Sequence, residues 1–586
     1  MFKHGLGLRH TAALLGLALF AVALAACDGG GDDPTATSST GQPTATSQPV
    51  TTNLPAPKGA VGTITIAVAR VNSHPGINSA QGGETSVFWG AGESLFMTDT
   101  GPEFGLPWLA TEWEVASDLS KVTITLEEGV QFHKGRGEMT AEDVAWSIND
   151  ANATTNTESI HAQAGDLAAY WNAWTAVDTY VVEAPFKQFD PRWQTNGLSD
   201  GFQVTGIFSK KVFDEMGRDW MLENTIMTGP FEVEEWTDGD KAVLNAVQGH
   251  WRKTPEIDKL TYVQIPEGSI RLASMQNGEV DAAALDLKDI PGLQANGFEL
   301  SGTSSGSELN IAWAGNIWEK THAKTGEPLA RPGADYTKPW IGNPDDAESM
   351  ENARKVRWAL AMAYDREEMN EVLAAGQGWT HGIGYFNPRM PQYQEKWDVP
   401  YDVDLAKQYL EDAGVGDGFA IEIFGQADTA IRAESAEAIG QYWAANLGLD
   451  VTVQSFEYSV FRPSIVDRSA SIPFMNSCDD GRFPRPWDWP IGLVTSSLSR
   501  GGFSCSVEAP EIAQAYLANS LEPDIQKRNE NNNDIADFYH KWMLMSGVFT
   551  FPVVLPYNPR AIESWEMRPS LSGPISSPAL IVPASR

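Results

Sequence analysis

Alternating apolar and polar positions predict strands in the first half of the chain. The stretch Gly62–Arg70, GTITIAVAR, alternates small and β-branched residues, and Thr111–Val130 contains two short strand patterns joined by the turn SDLSK. A third pattern, MTGPFEVEEWTDGDKAVLNAV, has the turn TDGDK near its centre. That arrangement is typical of a β-hairpin.

Other segments repeat apolar residues three and four positions apart, which predicts helices. TAEDVAWSINDA begins with Thr140 as a natural N-cap and has Asp143 at N3, a variant of the capping box. SIRLASMQNGEVDAAALD predicts a short helix that ends at Gly278 and is followed by a strand. The clearest helical pattern is ARKVRWALAMAYDREEMNEVLAAG. Its inward candidates are Val356, Leu360, Met369 and Leu373.

The stretch Phe419–Phe456 follows the order strand, helix, strand, as FAIEIFG, AESAEAIGQYWAANLG and LDVTVQSF. Such a βαβ unit implies a parallel strand pair with a right-handed crossover. More than 500 of the 586 residues follow the amino-terminal region, which is too many for one hydrophobic core. The sequence therefore predicts an α/β fold in several lobes.

The amino-terminal pattern differs from all of these. Lys3, His4 and Arg9 give a positive start, and an almost purely apolar run follows from residue 11 to residue 26. That run is shorter than the roughly 20 residues that span a bilayer, so we interpret residues 1–26 as a signal peptide. LAAC, which ends at Cys27, resembles a bacterial lipobox and predicts lipidation of Cys27. The alternative is an ordinary secretory signal with a chance cysteine.

Residues 27–59 are rich in Thr, Ser, Pro and Gly and show no apolar periodicity. Such a segment buries too little surface to offset its ordering entropy, so we expect a disordered tether. A semi-extended tether of this length would hold a domain some tens of ångströms from a membrane.

The charge balance excludes some partners. Lys and Arg number 41 against 77 Asp and Glu, a formal net charge of −36. Nucleic acid and anionic lipid both require clustered cations, so neither is expected as a partner. The excess of acidic residues favours solubility and, weakly, a cationic or neutral ligand.

Two cysteines remain beyond the tether, Cys478 and Cys505. An exported protein meets oxidising conditions, which favours a disulfide between them, although two buried thiols are the alternative. Neither belongs to a C-x-x-C pair, and the nine histidines include no pair at i, i+4. We therefore expect no metal site and no cofactor.

Three blocks of sequence carry a family resemblance: LATEWEVASDLSKVTITLEEGVQFHKGRGEMTAEDVAWSI, TGPFEVEEWTDGDKAVLNAVQGHWRKTPEIDKLTYVQIPEGSIRLASMQNGEVDAA and VRWALAMAYDREEMNEVL with YDVDLAKQYLEDAGVGDG. In this order they resemble the family 5 extracellular solute-binding proteins, the peptide, nickel and related receptors of ABC importers. The resemblance implies a periplasmic-binding-protein-like fold with two hinged lobes and an inserted subdomain. The implied divisions are 60–108, 225–308 and 552–586 for lobe one, 109–224 for the inserted subdomain, and 309–551 for lobe two.

The resemblance also implies a mechanism. A ligand binds between the lobes, which close on it by hinge motion, and the closed form delivers it to permease subunits. We expect a monomer, anchored through its lipid on the periplasmic or extracellular side of the cell membrane. His133, in FHKGRGEMTAEDV, lies in the part that marks the inserted subdomain, so we interpret it as structural.

The most informative local stretch is IPFMNSCDDGRFPRPWDWPIGL. Peptide-binding branches of the family carry an aspartate in the corresponding loop, where it meets the ligand's α-ammonium; Asp480 matches best, with Asp479 beside it. The Asp-Pro step usual there is replaced by RPWDWP. Two further pairs in the stretch are candidate contacts, Arg482 and Arg485 for a carboxylate and Trp487 and Trp489 for the face of a sugar ring.

The sequence contains features of two other classes of protein. GTSSG at residues 302–306 fits the nucleophile-elbow pattern at Ser304, but neither a convincing buried strand nor an apolar helix flanks it. A surface sensor or adhesin with the receptor fold is the other class. The sequence favours an ABC-importer receptor, not an enzyme, with an oligopeptide as the leading ligand and an oligosaccharide as the alternative.

Overall fold

The structure is a computed structural model. It describes residues 54–59, 62–71, 76–80, 89–98, 105–161, 164–189, 193–194, 197–200, 205–302, 306–386, 388, 390, 393–427, 430–475, 497–498, 504–519, 522, 524–566 and 578–585. The predicted signal peptide, Cys27 and the predicted tether as far as residue 53 lie outside these ranges. No helix within the described ranges is long and apolar enough to cross a bilayer.

Lobe one is built on a sheet of seven strands among the described residues, in the order β12-β21-β11-β1-β10-β9-β8. Its strands are β1 (Thr63–Val68), β8 (Phe231–Thr237), β9 (Lys241–Ala246), β10 (Lys259–Gln264), β11 (Ala282–Ala283), β12 (Glu299–Leu300) and β21 (Pro556–Tyr557). The antiparallel pair β8 and β9 is the hairpin that the sequence predicts. Helices α5 (Gly268–Gln276) and α6 (Ile290–Ala295) and the small sheet of β22 (Ile562–Trp565) and β23 (Ile581–Pro583) complete the lobe.

A four-stranded antiparallel sheet has its own core. It contains β4 (Ala110–Val115), β5 (Lys121–Leu126), β6 (Thr175–Asp178) and β7 (Val181–Pro185). Around it lie β2 (Phe96–Thr98), β3 (Gly105–Pro107), α1 (Ala141–Ala151), α2 (Ala164–Tyr170), α3 (Lys210–Met216) and α4 (Arg218–Glu223). Strands β4 and β5 pair around the predicted turn. At the start of α1 the backbone N–H of Thr140 donates to Asp143 Oδ2 at 2.8 Å, which confirms the predicted capping box.

Lobe two is built on a sheet with the order β15-β20-β13-β18-β16-β17 among the described residues. Its strands are β13 (Gly306–Ala312), β15 (Trp379–Thr380), β16 (Ala420–Gln426), β17 (Asp450–Phe456), β18 (Phe474–Met475) and β20 (Met545–Pro552), with β14 (Asn316–Ile317) and β19 (Val507–Glu508) as a separate pair. Its helices are α7 (Ala347–Met362), α8 (Arg366–Ala374), α9 (Val403–Asp412), α10 (Ala430–Leu447), α11 (Tyr458–Val466), α12 (Pro510–Asn519) and α13 (Ile525–Trp542). Strands β16 and β17 run parallel on either side of α10 in the chain, which confirms the predicted βαβ unit.

The clearest helical pattern forms two helices, α7 and α8, and not one. The break has a local cause, since the side chain of Asp365 accepts from the backbone N–H groups of Glu367 and Glu368 and so caps a new helix. Of the predicted inward residues, Val356, Leu360 and Met369 are buried, while Leu373 is only partly buried.

The chain is already attached to lobe one at Leu54. Arg560 Nη1 donates to the Leu54 carbonyl at 2.7 Å, and Asn558 Nδ2 donates to the Pro55 carbonyl at 3.0 Å. Lys58 pairs with Glu279 at 3.4 Å. The last residues of the predicted tether therefore form part of the surface of lobe one.

Candidate functional site

The two sheets are joined by two crossing segments, one before β13 and one after β20. Ser301 and Leu555 hold these segments together, with Ser301 N donating to the Leu555 carbonyl and Leu555 N donating to Ser301 Oγ, both at 2.9 Å. Strand β13 therefore enters lobe two from this hinge, and β20 returns to it. The hinge gives a reference for the direction of every other strand.

In lobe two, the register places the carboxyl ends of three strands at the hinge edge. Strand β18 is antiparallel to β13, with Ile311 opposite Met475, so β18 runs towards the end where β13 enters. Strand β16 is parallel to β18 and to β17. The chain segments that follow β16, β17 and β18 therefore leave the sheet on the side of lobe one.

Lobe one has the matching arrangement. Strands β10 and β11 are parallel to β1, and β11 and β12 are both antiparallel to β21. Strand β12 leads into the hinge, so the carboxyl ends of these parallel strands also face it. Ligands of open α/β sheets bind beyond the carboxyl ends of the strands. Both lobes thus direct that edge towards the same junction.

A cavity of about 250 Å³ marks this junction. It is lined by residues 284–288 after β11, residues 551–555 of the hinge, Leu373, Ile431 and Glu434. Lys288 Nζ lies 2.7 Å from Glu434 Oε1, which links lobe one directly to α10 of lobe two. Most of the lining is apolar, as small-molecule sites are, with a few charged groups at the boundary.

Two buried polar side chains lie where β16 ends. Gln426 is the last residue of β16, and Arg432 is in the first turn of α10; Arg432 Nη1 donates to Gln426 Oε1 at 3.3 Å. Neither residue was among the predicted ligand contacts. The strand-to-helix step of the predicted βαβ unit was the available signal, since that step is where such folds place binding groups.

The predicted ligand residues Asp479, Asp480, Arg482, Arg485, Trp487 and Trp489 lie outside the described residues, as does Cys478. The described chain stops at Met475, at the carboxyl end of β18, and resumes at Ser497. Cys505 is buried and takes part in a disulfide bond, but its pairing with Cys478 stays a prediction. Ser304 also lies outside the described ranges.

A buried acidic cluster frames the far end of that stretch, and we call it the Glu508 cluster. It contains two carboxylates and one guanidinium: Glu508 contacts Arg468 Nη2 and accepts from Ser504 Oγ, while Glu319 accepts from Ser497 through its backbone N–H and its hydroxyl. Burial raises the pKa of Glu508 to about 7 against the opposing charge of Arg468, and burial also raises the pKa of Glu319. Nothing local in the sequence indicated this cluster.

A second buried carboxylate, Glu93, lies in lobe one. Its Oε1 accepts from Trp108 Nε1 at 3.0 Å and from Arg252 Nη2 at 3.0 Å, and its Oε2 accepts from Trp251 Nε1 at 3.0 Å. Burial alone would raise the pKa of Glu93, but hydrogen bonding and positive charge from His250 and Arg252 lower it to about 2. We call these residues the Glu93 cluster. Because both carboxylate oxygens of Glu93 already accept from neighbouring side chains, we interpret the cluster as structural.

The conspicuous His133 is structural, as predicted. It is buried in the turn before α1, with Nε2 2.9 Å from the Gly229 carbonyl oxygen, and burial lowers its pKa to about 4. Tryptophan side chains elsewhere in the chain are structural as well. Trp313, Trp318 and Trp340 are buried in lobe two.

Comparison with known proteins gives a family and its fold. Residues 106–486 match the family described as bacterial extracellular solute-binding proteins, family 5 Middle. The dipeptide-binding protein of Escherichia coli (strain K12) is 25% identical over 393 residues, covering 61% of this chain and 64% of that protein. The oligopeptide-binding protein OppA of Bacillus subtilis (strain 168) is 22% identical over 494 residues, covering 80% of this chain and 83% of the relative. The match to the first of these spans less than two thirds of its length.

Solved structures show the same fold at low sequence identity. The periplasmic binding protein DppA of Helicobacter pylori, in complex with the peptide STSA, has a TM-score of 0.66 and 16% identity, covering 89% of this chain and 97% of that one. NikA of Brucella suis, in complex with Fe(III)-EDTA, has a TM-score of 0.70 and 17% identity, covering 89% and 100%. The sheets, the hinge and the family match, which covers more than half of the residues, lead to one conclusion: the chain belongs to the bacterial extracellular solute-binding proteins of family 5 and has their two-lobed α/β fold.

Proposed function

We propose that this protein is the substrate-binding component of an ABC importer, which captures an oligopeptide between its lobes and delivers it to a membrane permease. The observation that carries the proposal is the common edge of the two sheets. The carboxyl ends of β16 and β18 in lobe two and of β1 and β11 in lobe one all face the hinge. The similarity to dipeptide- and oligopeptide-binding relatives favours a peptide among the possible solutes.

The chemistry of the proposed site suits both ends of a peptide. Asp480, which follows β18 in the sequence, would accept from the α-ammonium group, and a charge-assisted contact of this kind strengthens as the cleft closes and excludes water. At the end of β16, Arg432 carries a guanidinium suited to a carboxylate, with Gln426 beside it. The role is binding and release, and we assign no catalytic residue.

Its location follows from the same proposal. A receptor that serves a permease works on the outer face of the membrane, and a lipid on Cys27 with a tether as far as residue 53 would keep it there. Arg560 and Asn558 hold the chain at residues 54 and 55, so the folded part would begin directly after the tether.

The test uses residues 28–586, which lack only the signal peptide and the lipidated cysteine. After any carried-over ligand is removed, the melting temperature is measured with peptides of two to eight residues and with β-glucan, xylan and mannan oligosaccharides. A ligand at 100 times its Kd stabilises by about 2.7 kcal/mol, which gives a measurable rise. We expect the rise with peptides.

Two further measurements sharpen the result. Acetylation of the peptide amino terminus, or the substitution Asp480→Asn, is expected to abolish most of the rise, while Asp467→Asn, at an exposed aspartate in lobe two, is the matched control. A rise with oligosaccharides alone would overturn the peptide proposal and favour Trp487 and Trp489 as contacts. A rise with neither panel would leave the fold as described and contradict both ligands.

A further inference from the structure

The cavity at the hinge has a lining that differs from the charged groups proposed to hold the ends of a peptide. Of its thirteen lining residues among those described, Asp286, Lys288 and Glu434 are charged, and the others are apolar. A cavity of about 150 Å³ lined by Leu, Ile and Phe side chains is large enough to hold benzene. At about 250 Å³, the hinge cavity therefore has room for the side chain of a leucine or a phenylalanine.

We propose that this cavity receives one large apolar side chain of the bound peptide, an inference that rests on the proposed function and specifies its substrate class. The substrates would then be oligopeptides with a leucine, a phenylalanine or a similar residue at one fixed position. Asp480 and Arg432 would hold the charged ends of a peptide whatever its sequence. The cavity would therefore be the part of the site that distinguishes one peptide from another.

Both lobes contribute apolar side chains to the cavity. Leu285 and Leu287 follow β11 of lobe one, while Leu373, Ile431 and Phe551 belong to lobe two. The three residues of lobe two are partly buried, since each packs against the core of that lobe and keeps another part of its surface exposed. A ligand side chain that fills the cavity would remove apolar surface of both lobes from water at once, which favours binding. It would thereby also favour the form in which the lobes are closed.

The three charged side chains of the lining already interact with groups of opposite charge. Lys288 Nζ lies 2.7 Å from Glu434 Oε1. Asp286 interacts electrostatically with the guanidinium of Arg271. A charged peptide side chain in the cavity would lose its hydration and would have to compete with these pairs, which is unfavourable. An oligosaccharide would likewise bury hydroxyl groups against apolar surface, so the lining favours a hydrocarbon side chain.

The cavity is a neighbour of the proposed contact for the peptide carboxylate. Ile431 lines the cavity, and the next residue is Arg432, whose Nη1 donates to Gln426 Oε1 at the end of β16. Both residues lie in the first turn of α10, directly after the carboxyl edge of the sheet. A peptide whose carboxylate reaches Arg432 would therefore bring one of its side chains to the mouth of the cavity.

The experiment is calorimetric titration of residues 28–586 with peptides of the length that gives the largest rise in melting temperature. One position is varied and the others are alanine, and glycine, leucine, phenylalanine, aspartate and lysine are compared at each position. Burial of a large apolar side chain strengthens binding by a factor of about ten or more. We therefore expect leucine or phenylalanine at one position to bind at least about tenfold more tightly than glycine there, and aspartate and lysine to bind no more tightly than glycine.

Ile431→Lys tests whether the hinge cavity is the selecting pocket. It places an ammonium group in the apolar lining, so the preference for leucine or phenylalanine should disappear and aspartate should bind most tightly at that position. Ile160→Lys, the same substitution at an exposed residue between α1 and α2, is the control and should keep the order of the parent. Leu373→Ala shortens one lining side chain and should weaken leucine peptides about fivefold while leaving glycine peptides unchanged. This second variant decides the question if Ile431→Lys does not fold.

Failure of this proposal and failure of the proposed function give different results. Peptides that bind with the same affinity whatever residue occupies each position would overturn the apolar pocket and leave the peptide receptor in place. Binding of no peptide at any length would contradict the peptide receptor and, with it, this inference. A preference for leucine or phenylalanine that survives unchanged in Ile431→Lys or Leu373→Ala would also overturn the proposal, because the selecting contacts would then lie elsewhere.

Discussion

Glu93 of lobe one and Glu508 of lobe two are both completely buried, yet their pKa values move in opposite directions. The pKa of Glu93 falls to about 2, and that of Glu508 rises to about 7. Burial raises both values, so the difference lies in the partners. The single carboxylate of Glu93 accepts hydrogen bonds from two indoles and a guanidinium, and His250 lies beside it. In contrast, the two carboxylates of Glu508 and Glu319 share the one guanidinium of Arg468.

The difference separates two roles for buried charge. The Glu93 cluster joins residues far apart in sequence, from the segment before β2 to the segment after β9, and its charge is fully compensated. The Glu508 cluster is under-compensated and borders Ser497, where the chain returns from the predicted ligand stretch. We therefore expect changes at Glu93 to affect folding alone, and changes in the Glu508 cluster to affect pH dependence and binding.

The largest effect is expected for Glu93→Gln. The substitution removes the charged acceptor of two indole N–H groups and of Arg252, which is itself partly exposed and lies over the ring of Trp108. Hydrogen bonds to a charged group contribute about 1.5–3 kcal/mol each, so we expect a loss of about 3 kcal/mol. Urea unfolding followed by tryptophan fluorescence measures the loss. Glu112→Gln, at an exposed position on β4, is the control and should change stability by less than about 0.5 kcal/mol. If Glu93→Gln lowers the free energy of unfolding no more than the control does, the Glu93 cluster does not stabilise the fold.

The next effect is a pH dependence with a defined sign. The folded-state pKa of Glu508 is about 7, above the ordinary value of 4.5, so its contribution to stability is complete below pH 4.5 and is lost as pH rises through 7. The free energy of unfolding should therefore fall by about 3 kcal/mol across this window from Glu508 alone. Glu508→Gln should remove that fall.

The measurement must be a difference between variant and parent. Burial lowers the pKa values of His133 and His381 to about 4, and these groups give the opposite trend, a contribution present above the unfolded value of 6.5 and lost as pH falls through 4. The parent and the Glu508→Gln variant contain the same histidines, so the histidine contributions to the free energy of unfolding cancel in the difference. A parent-minus-variant curve that is flat between pH 4.5 and 7 would contradict the raised pKa of Glu508.

The elements of the fold were predictable where one local pattern decided the outcome. The hairpin of β8 and β9, the capping box at Thr140 and the βαβ unit of residues 419–456 all follow from short-range periodicity and turn chemistry. The division between α7 and α8 was missed because it depends on the single cap at Asp365 inside a continuous helical pattern. Local patterns therefore identify the elements better than their ends.

The site was less predictable because its residues meet only through long-range register. Glu508 and Glu319 are 189 positions apart in the sequence (508 − 319), and Glu93 meets Arg252 from 159 positions away. Gln426 and Arg432 are local to one βαβ step, but their place at the hinge edge depends on the pairing of β18 with β13. Spacing in the sequence contains no trace of these contacts.

A smaller effect is expected at Glu319, and it concerns binding more than stability. Its carboxylate accepts from the backbone N–H of Ser497 at 3.2 Å, and this contact holds the chain where the described residues resume after the predicted ligand stretch. In Glu319→Gln the amide replaces a charged acceptor with a neutral one, which is expected to weaken peptide binding about fivefold. Glu93→Gln, assayed below its melting temperature, is the comparison and should bind normally. Equal losses in both variants would show that the two clusters do not have separate roles.

The smallest effect is expected at the exposed pair Lys288 and Glu434, which joins the two lobes at 2.7 Å. Exposed ion pairs contribute little, so a double-mutant cycle should give a coupling below about 0.5 kcal/mol in stability. Lys259 and Glu234 form a matched control, at 2.6 Å with similar exposure but within lobe one. Only the interlobe pair changes its geometry if the lobes move apart, so Lys288→Ala should shift peptide affinity about twofold while Lys259→Ala leaves it unchanged. Equal shifts in both variants would show that the effect comes from general surface charge, and that Lys288 and Glu434 do not bias the closed state.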